Sequence, residues 1–194
     1  MRCRLAIVLL ALLAGHSFAG NIQGACDVRF LGTSTLHDFS GTVTSRPFAA
    51  PVSRDAAGNP VVPRVELEFP VEEMRTGNDS RDGKMREMFQ SDRHPVVRAV
   101  ARDVDAGKFR ERMRKDPGGK TPLEVTLVIR GVERKIPASA GNWREEGGRS
   151  AFDVEFPVSL KEFELKPPTV LGIIRVADRV DVKGTVHIII QDAP

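Results

Sequence analysis

The chain has 194 residues, of which 41% are hydrophobic and 28% charged, and its formal net charge at pH 7 is +3. This length suits one domain with its own core. Acidic and basic residues nearly balance, and no Lys/Arg-rich run with interleaved aromatic residues indicates a nucleic-acid surface. With two cysteines in all, the fold cannot depend on a network of disulfides.

The N-terminal segment has the three parts of a cleaved secretion signal. A short basic start is followed by an apolar run over residues 5–15 and by small residues just before Gly20. We therefore predict that residues 1–19 are removed as a signal peptide and that residues 20–194 form one domain. A membrane-spanning helix needs about 17–25 apolar residues, so this shorter run is not expected to anchor the chain.

Removal of the signal peptide leaves a nearly neutral domain with one cysteine. Cys3 and two arginines leave with the signal, and Cys26 remains. No internal disulfide is then possible. We expect Cys26 to be a small, half-buried residue; an intermolecular disulfide is the alternative, and a homodimer stays open.

Alternation of apolar and polar residues predicts strands along most of the domain, since a period of two gives a sheet one dry face and one wet face. The pattern is clear over residues 65–71, 123–129, 152–158 and 180–188. It is weaker over residues 28–34, 39–48, 96–104 and 134–140. Together these segments give about eight strands. Gly131-Val132 predicts a hairpin, and a further loop, which contains Trp143, is predicted between Gly141-Asn142 and Gly147-Gly148.

Three segments depart from the strand pattern. Residues 78–91 carry Met and Phe at helical spacing, which predicts a short helix over Ser80–Phe89. A single helical turn is predicted at Leu160–Phe163. Residues 105–120 are dense in charge, glycine and proline, and this composition predicts a solvated mobile loop that extends a hairpin.

The expected fold is all-β, because about eight antiparallel strands must hide or close their edges. Closure gives a barrel whose interior holds either side chains or one small ligand. The inward residues are Val, Leu, Ile and Phe, which suit a hydrocarbon. The outward faces are charged, the chain has no Tyr and one Trp, and a membrane barrel needs aromatic girdles, so the domain is not expected to span a membrane.

Several segments together resemble the YceI-like, or lipid/polyisoprenoid-binding, family. They are residues 30–41 (FLGTSTLHDFSG), 74–85 (MRTGNDSRDGKM), 127–132 (LVIRGV), 156–163 (FPVSLKEF) and 172–180 (GIIRVADRV). The resemblance implies an eight-stranded antiparallel lipocalin-like barrel with one short helix, exported to the bacterial periplasm. It also implies an isoprenoid or other long-chain lipid in an apolar tunnel, with neither enzymatic activity nor a cofactor. The scarcity of aromatic residues leaves the identity of the lipid open.

The predicted ligand contacts lie on the inward strand faces, on the helix and at the tunnel mouth. They are Val65, Leu67, Phe69, Met85, Met88, Phe89, Leu127, Ile129, Phe152, Val154, Phe156 and His37. The alternative is that these side chains fill a solid core, which alternation alone does not distinguish from a tunnel. The polar cluster of Arg75, Asn78, Arg81 and Asp82 is expected to cap the helix or to form a rim that meets a ligand head group.

We therefore predict that the domain binds a long apolar chain, namely a polyisoprenoid, a quinone-like or a fatty lipid, as a carrier or for storage. His37-Asp38 is the pair that suggests catalysis, but neighbouring residues of a strand point to opposite faces and cannot readily act on one atom. No metal-ligand spacing joins His37 to His94 or His187. A small periplasmic hydrolase or isomerase that uses His37, and a structural stress protein without a ligand, are the alternative functions.

Overall fold

A computed structural model describes residues 18–167 and 176–192. Its strands in these ranges are β1 (Phe18–Ser34), β2 (Phe39–Thr44), β3 (Phe48–Arg54), β4 (Pro60–Pro70), β5 (Val96–Asp105), β6 (Thr121–Ile129), β7 (Val132–Glu146), β8 (Arg149–Ser159) and β9 (Val176–Asp192). Its helices are α1 (Asp79–Phe89) and α2 (Ala106–Lys115), with 3₁₀ turns at Val71–Glu73 and Lys161–Phe163. Of the predicted signal peptide, residues 1–17 lie outside the described residues, and Phe18 and Ala19 begin β1.

The strands form one antiparallel sheet that closes on itself. Consecutive strands pair from β3 to β9, and β9 then pairs with β1 along almost its whole length. β2 and β3 both lie on the other edge of β1, where β2 pairs with its second half and β3 with its first half. These two strands therefore share one position around the barrel. The predicted eight-stranded antiparallel barrel is confirmed, and the hydrophobic core is formed by the side chains on its inner face.

The single strand predicted over residues 39–48 is wrong, because the chain bends between β2 and β3. At the bend the Ser45 backbone N–H donates to the Cys26 carbonyl (2.8 Å), and the Cys26 N–H donates to Ser45 Oγ (2.9 Å). Pro47 follows and has no N–H for a sheet hydrogen bond. The chain consequently leaves β1 here and meets it again at Phe48.

Two glycine–aromatic pairs fix the register between β1 and β2. Phe30 stands opposite Gly41, and Phe39 stands opposite Gly32. A Cβ atom on Gly41 would lie 2.2 Å from the Phe30 ring, and one on Gly32 would lie 2.5 Å from the Phe39 ring. Each ring therefore packs on the backbone of a glycine, where any side chain would clash with it. A register slip of one residue would separate both pairs.

Tight turns connect the three strands β6, β7 and β8. Arg130 and Gly131 both have positive φ (53° and 80°), as a two-residue turn of the hairpin type requires, which confirms the predicted hairpin. Gly147 and Gly148 form the second turn in the same way. The loop predicted from position 141 onward is wrong: β7 continues to Glu146 through a bulge after Gly141, and Trp143 lies in this strand.

The two helices lie at opposite ends of the barrel, since α1 follows β4 and α2 follows β5, which runs the other way. The predicted first helix is confirmed and begins one residue earlier, at Asp79. The predicted turn near Leu160 is also confirmed, and Phe163 within it is fully buried. In the described ranges, neither helix is long and apolar enough to cross a membrane.

Helix α2 contradicts the prediction of a mobile loop over residues 105–120. The Asp105 side chain caps the helix by accepting a hydrogen bond from the Lys108 N–H (2.8 Å). Met113 is fully buried. Arg110 forms an ion pair with Glu145 of β7 (3.1 Å), so the helix is attached to the barrel by packing as well as by charge.

Candidate functional site

The barrel encloses a cavity of about 660 Å³. Its wall consists of the inward residues of the strands, completed by α1 at one end and by α2 at the other. Most lining side chains are aliphatic or aromatic. The volume lies within the range of about 300–1,000 Å³ that is usual for pockets that bind small molecules. The interior is therefore hollow, and it suits an apolar guest.

All of the residues predicted to contact a ligand line this cavity. They are Val65, Leu67 and Phe69 of β4, Leu127 and Ile129 of β6, Phe152, Val154 and Phe156 of β8, Met85, Met88 and Phe89 of α1, and His37 between β1 and β2. The strands place them there because every second residue faces inward. The structure thus brings the whole set together around one space; their contact with a ligand stays a prediction.

An aromatic cluster closes the α2 end of the cavity. Phe152 of β8 stacks on Trp143 of β7 with ring centroids 5.7 Å apart, and it meets Phe109 of α2 edge-on at 5.4 Å. Such pairs stabilise a packed contact beyond the area that they bury. Sequence reasoning missed Trp143 and Phe109 as cavity residues. The spacing of Phe109 and Met113 by four residues was the available signal for a buried helix face.

Polar lining residues concentrate at the α1 end, where they also fix the start of the helix. Asn78 caps α1, since its Oδ1 accepts from the Arg81 N–H (2.9 Å). The buried Asp82 carboxylate accepts from the Thr76 N–H (2.9 Å) and from its hydroxyl. Of the predicted polar cluster, Asn78 and Arg81 line the cavity. Capping and a polar rim are therefore both present at this end.

His37 lies at the same end of the cavity, in an exposed turn. The turn is held by Ser34, whose Oγ accepts from the His37 N–H (3.2 Å) and donates to the His37 carbonyl (2.7 Å). The imidazole forms no hydrogen bond or ion pair with a carboxylate among residues 18–167 and 176–192. In the same ranges no three His, Cys, Asp or Glu side chains are grouped as a metal site would require.

Cys26 lines the cavity wall from β1 and is more deeply buried than the half-buried position predicted for it. Its exposed fraction is 4%. Burial, with the nearby Asp27 charge, raises the pKa of its thiol to about 12. A thiol with so little thiolate is a poor nucleophile, and burial keeps it from a second chain.

Comparison with known families identifies the fold. A family model described as the YceI-like domain matches residues 15–188. This chain belongs to the YceI-like family. The resemblance seen in the sequence is thereby confirmed over nearly the whole domain. Comparison with curated protein sequences gave no significant match.

Solved structures with the same fold include two proteins that the YceI-like domain resembles along most of its length. One is a polyisoprenoid binding domain from Saccharophagus degradans implicated in plant cell wall breakdown, with 14% identity, a TM-score of 0.61 and coverage of 91% of this chain and 99% of that one. The other is BcnA from Burkholderia cenocepacia, with 16% identity, a TM-score of 0.59 and coverage of 84% and 95%. At these identities the likeness shows the fold.

Proposed function

We propose that this YceI-like domain binds a long apolar chain in its barrel, namely a polyisoprenoid, a quinone-like lipid or a fatty lipid, and carries or stores it in the periplasm. The observation that carries the proposal is the apolar cavity of about 660 Å³. The Saccharophagus degradans neighbour, which is a polyisoprenoid binding domain, supports the same class of ligand.

The size of the cavity sets the length of chain that fits. At roughly 30 Å³ for each water-sized group, the cavity volume of about 660 Å³ corresponds to a chain of roughly twenty carbons. Each buried methylene contributes about 0.8 kcal/mol, so a chain of roughly twenty carbons would gain on the order of 15 kcal/mol before the cost of ordering the chain. Tight retention through purification is therefore expected.

The direct test is organic extraction of the exported protein, purified from its native source, followed by mass spectrometry. We expect one chain lipid in a near-stoichiometric amount. An extract without lipid would contradict binding and would favour a structural protein without a ligand. N-terminal sequencing of the same sample tests the proposed export, since removal of residues 1–19 would leave Gly20 as the first residue.

A cavity-filling variant makes the extraction test specific for the barrel interior. Ala99 of β5 lines the cavity and lies between Leu67 and Leu127 on the adjacent strands. Ala99→Trp should occupy this space and abolish lipid retention. Arg102→Trp introduces the same side chain at an exposed site on the outer face of the same strand and should retain the lipid. Equal retention by both variants would place the lipid elsewhere.

Catalysis by His37 has less support from the geometry. A general base needs a partner that orients it, and the described carboxylates leave the imidazole without one. If the domain were a hydrolase or an isomerase, activity would disappear in His37→Ala while lipid retention survived. We expect His37→Ala to retain lipid and to show no activity difference from the native domain.

A further inference from the structure

The charged residues that line the described part of the cavity all have the same sign. They are Arg81 and Lys84 of α1 and Arg110 of α2, and no Asp or Glu is among the described lining residues. Low-dielectric walls strengthen the field of the charges that border a cavity. The charged groups that border the described part of the cavity are therefore all basic, which a purely hydrocarbon guest would not use.

Two of these three cations already have partners. Arg110 forms its ion pair with Glu145 at the α2 end. Arg81 donates to the hydroxyl and to the carbonyl of Thr76 (2.8 Å each) and lies over the Phe39 ring, 5.2 Å from its centroid. Arg110 and Arg81 therefore stabilise the two ends of the barrel.

Lys84 differs from the other two because it has no such partner in the part of the chain that the structure describes. It forms no ion pair or hydrogen bond with any residue in the ranges 18–167 and 176–192. Its side chain is half-buried. It lies one turn from Arg81 and one turn from Met88 on the face of α1 that borders the cavity. An unpaired ammonium group beside an apolar cavity is available to bind an anion through a charge-assisted hydrogen bond.

We propose that the ligand is an anionic amphiphile, with its carboxylate or phosphate against Lys84 at the α1 end and its chain extended toward the aromatic cluster at the α2 end. This inference rests on the proposed function and adds a head-group class to it. His37, Asn78 and Ser80 also line the α1 end, and their side chains can donate hydrogen bonds to the same group. At the α2 end, by contrast, Phe109, Trp143 and Phe152 suit a hydrocarbon terminus.

Displacement of the neutral fluorescent probe N-phenyl-1-naphthylamine tests the charge preference directly. The competitors are two matched pairs, hexadecanoic acid with hexadecan-1-ol and geranylgeranyl phosphate with geranylgeraniol. Wild-type protein should bind the anion of at least one pair about tenfold more tightly than its alcohol, because only the anion forms a charge-assisted hydrogen bond with Lys84. The pair with the larger ratio identifies carboxylate or phosphate as the source.

Variants at one position separate the charge from packing. Lys84→Met keeps an apolar stem and should reduce the preference to about twofold or less, with the affinity for the alcohols unchanged. Lys84→Arg should keep the preference. The matched control is Lys161→Met, because Lys161 is exposed at the same end of the barrel and does not line the cavity. Circular dichroism and Tm check that each variant is folded.

The outcomes distinguish the inference from the function on which it rests. Equal binding of anions and alcohols by the wild-type protein, or an unchanged ratio in Lys84→Met, would overturn the anionic head group and leave lipid binding intact. Failure of all four competitors, and of the probe, to bind the wild-type cavity would overturn both. A ratio lost in Lys161→Met as well would show a general surface effect and would also reject the assignment to Lys84.

Discussion

Asp153 is expected to make the stability of the barrel sensitive to acid. It lies on the outer face of β8, and its side chain is 10% exposed. Its carboxylate accepts hydrogen bonds from neighbours on both adjacent strands: Asn142 (3.0 Å), Arg144 (3.2 Å) and Thr185 (3.0 Å), with Lys183 at 3.4 Å. Burial of the carboxylate opposes its ionisation, but these partners outweigh burial and lower its pKa from 3.8 to about 2.

The direction of the pH effect follows from this shift. Because the folded-state pKa lies below the unfolded value, the stabilisation is fully present above about pH 4 and is lost as the pH falls toward 2. At 1.36 kcal/mol per pKa unit, the shift from 3.8 to about 2 corresponds to about 2 kcal/mol. Asp153→Asn should therefore cost about 2 kcal/mol at neutral pH and little near pH 2.

Urea unfolding, measured from pH 7 down to pH 2, tests this reasoning. The difference in the free energy of unfolding between the wild-type protein and Asp153→Asn should shrink as the pH falls through the window from 4 to 2. Asp181→Asn is the control, because the Asp181 side chain is 59% exposed and its ion pair with Arg179 contributes little. A difference that stays constant with pH, or that equals the one for Asp181→Asn, would refute the argument.

Three further predictions concern the interior. Phe69→Asp and Phe152→Asp each place a carboxylate in the cavity wall and should abolish lipid retention in extracts; retention by a folded variant would exclude that position from the site. Met113→Ala removes a fully buried side chain of α2 and should cost about 2–5 kcal/mol in urea unfolding, and a much smaller loss would mean that α2 packs loosely. The Cys26 thiol, with its pKa raised to about 12 by burial, should react with Ellman's reagent near pH 8 only after unfolding; rapid reaction of the native protein would contradict its burial.

Sequence alternation located the strands best where the inner face is uniformly large and apolar. The inner residues of β4, β6 and β8 are Val, Leu, Ile and Phe, and the predicted segments fall within these strands or overrun them by one residue. β1 begins earlier than predicted, at Phe18. The sequence did not predict its first part because two of the inner positions there are Gly24 and Cys26, which interrupt the run of large apolar residues. Gly24 lets β1 and β9 approach each other closely, since a Cβ on it would lie 2.0 Å from the His187 carbonyl oxygen. Small residues that allow strands to meet also conceal the period of two.

Helix α2 was missed because charge outweighs its apolar stripe. Five of its ten residues are Lys or Arg, and Phe109 and Met113 are its large apolar residues. Such a composition resembles that of a solvated loop. Its cap at Asp105 and the spacing of Phe109 and Met113 were nevertheless present in the sequence. The helix is fixed by tertiary packing on the barrel, which a local pattern does not report.

Trp143 was missed for a different reason: Gly141-Asn142 predicts the start of a loop, whereas β7 continues there through a bulge that changes its phase. Ile136, Ala138 and Ala140 are buried at a spacing of two. The bulge after Gly141, where Asn142 has a φ of 55°, adds a residue, so the next inward position falls at Trp143. A bulge reverses the faces of everything beyond it, and alternation read without it assigns Trp143 to the wrong side.

Whether the barrel is hollow depends on side-chain volume at its middle. Eight strands give an interior that side chains can fill or that one small ligand can occupy. Here Ala99 and Ala101 of β5 and Gly184 of β9 line the cavity, and such small residues leave space that Leu or Phe would have filled. Gly184 also admits Cys26, whose Sγ would lie 2.9 Å from a Cβ at that position. The cavity therefore follows from a few small inward residues on strands whose alternation looks the same as that of a filled core.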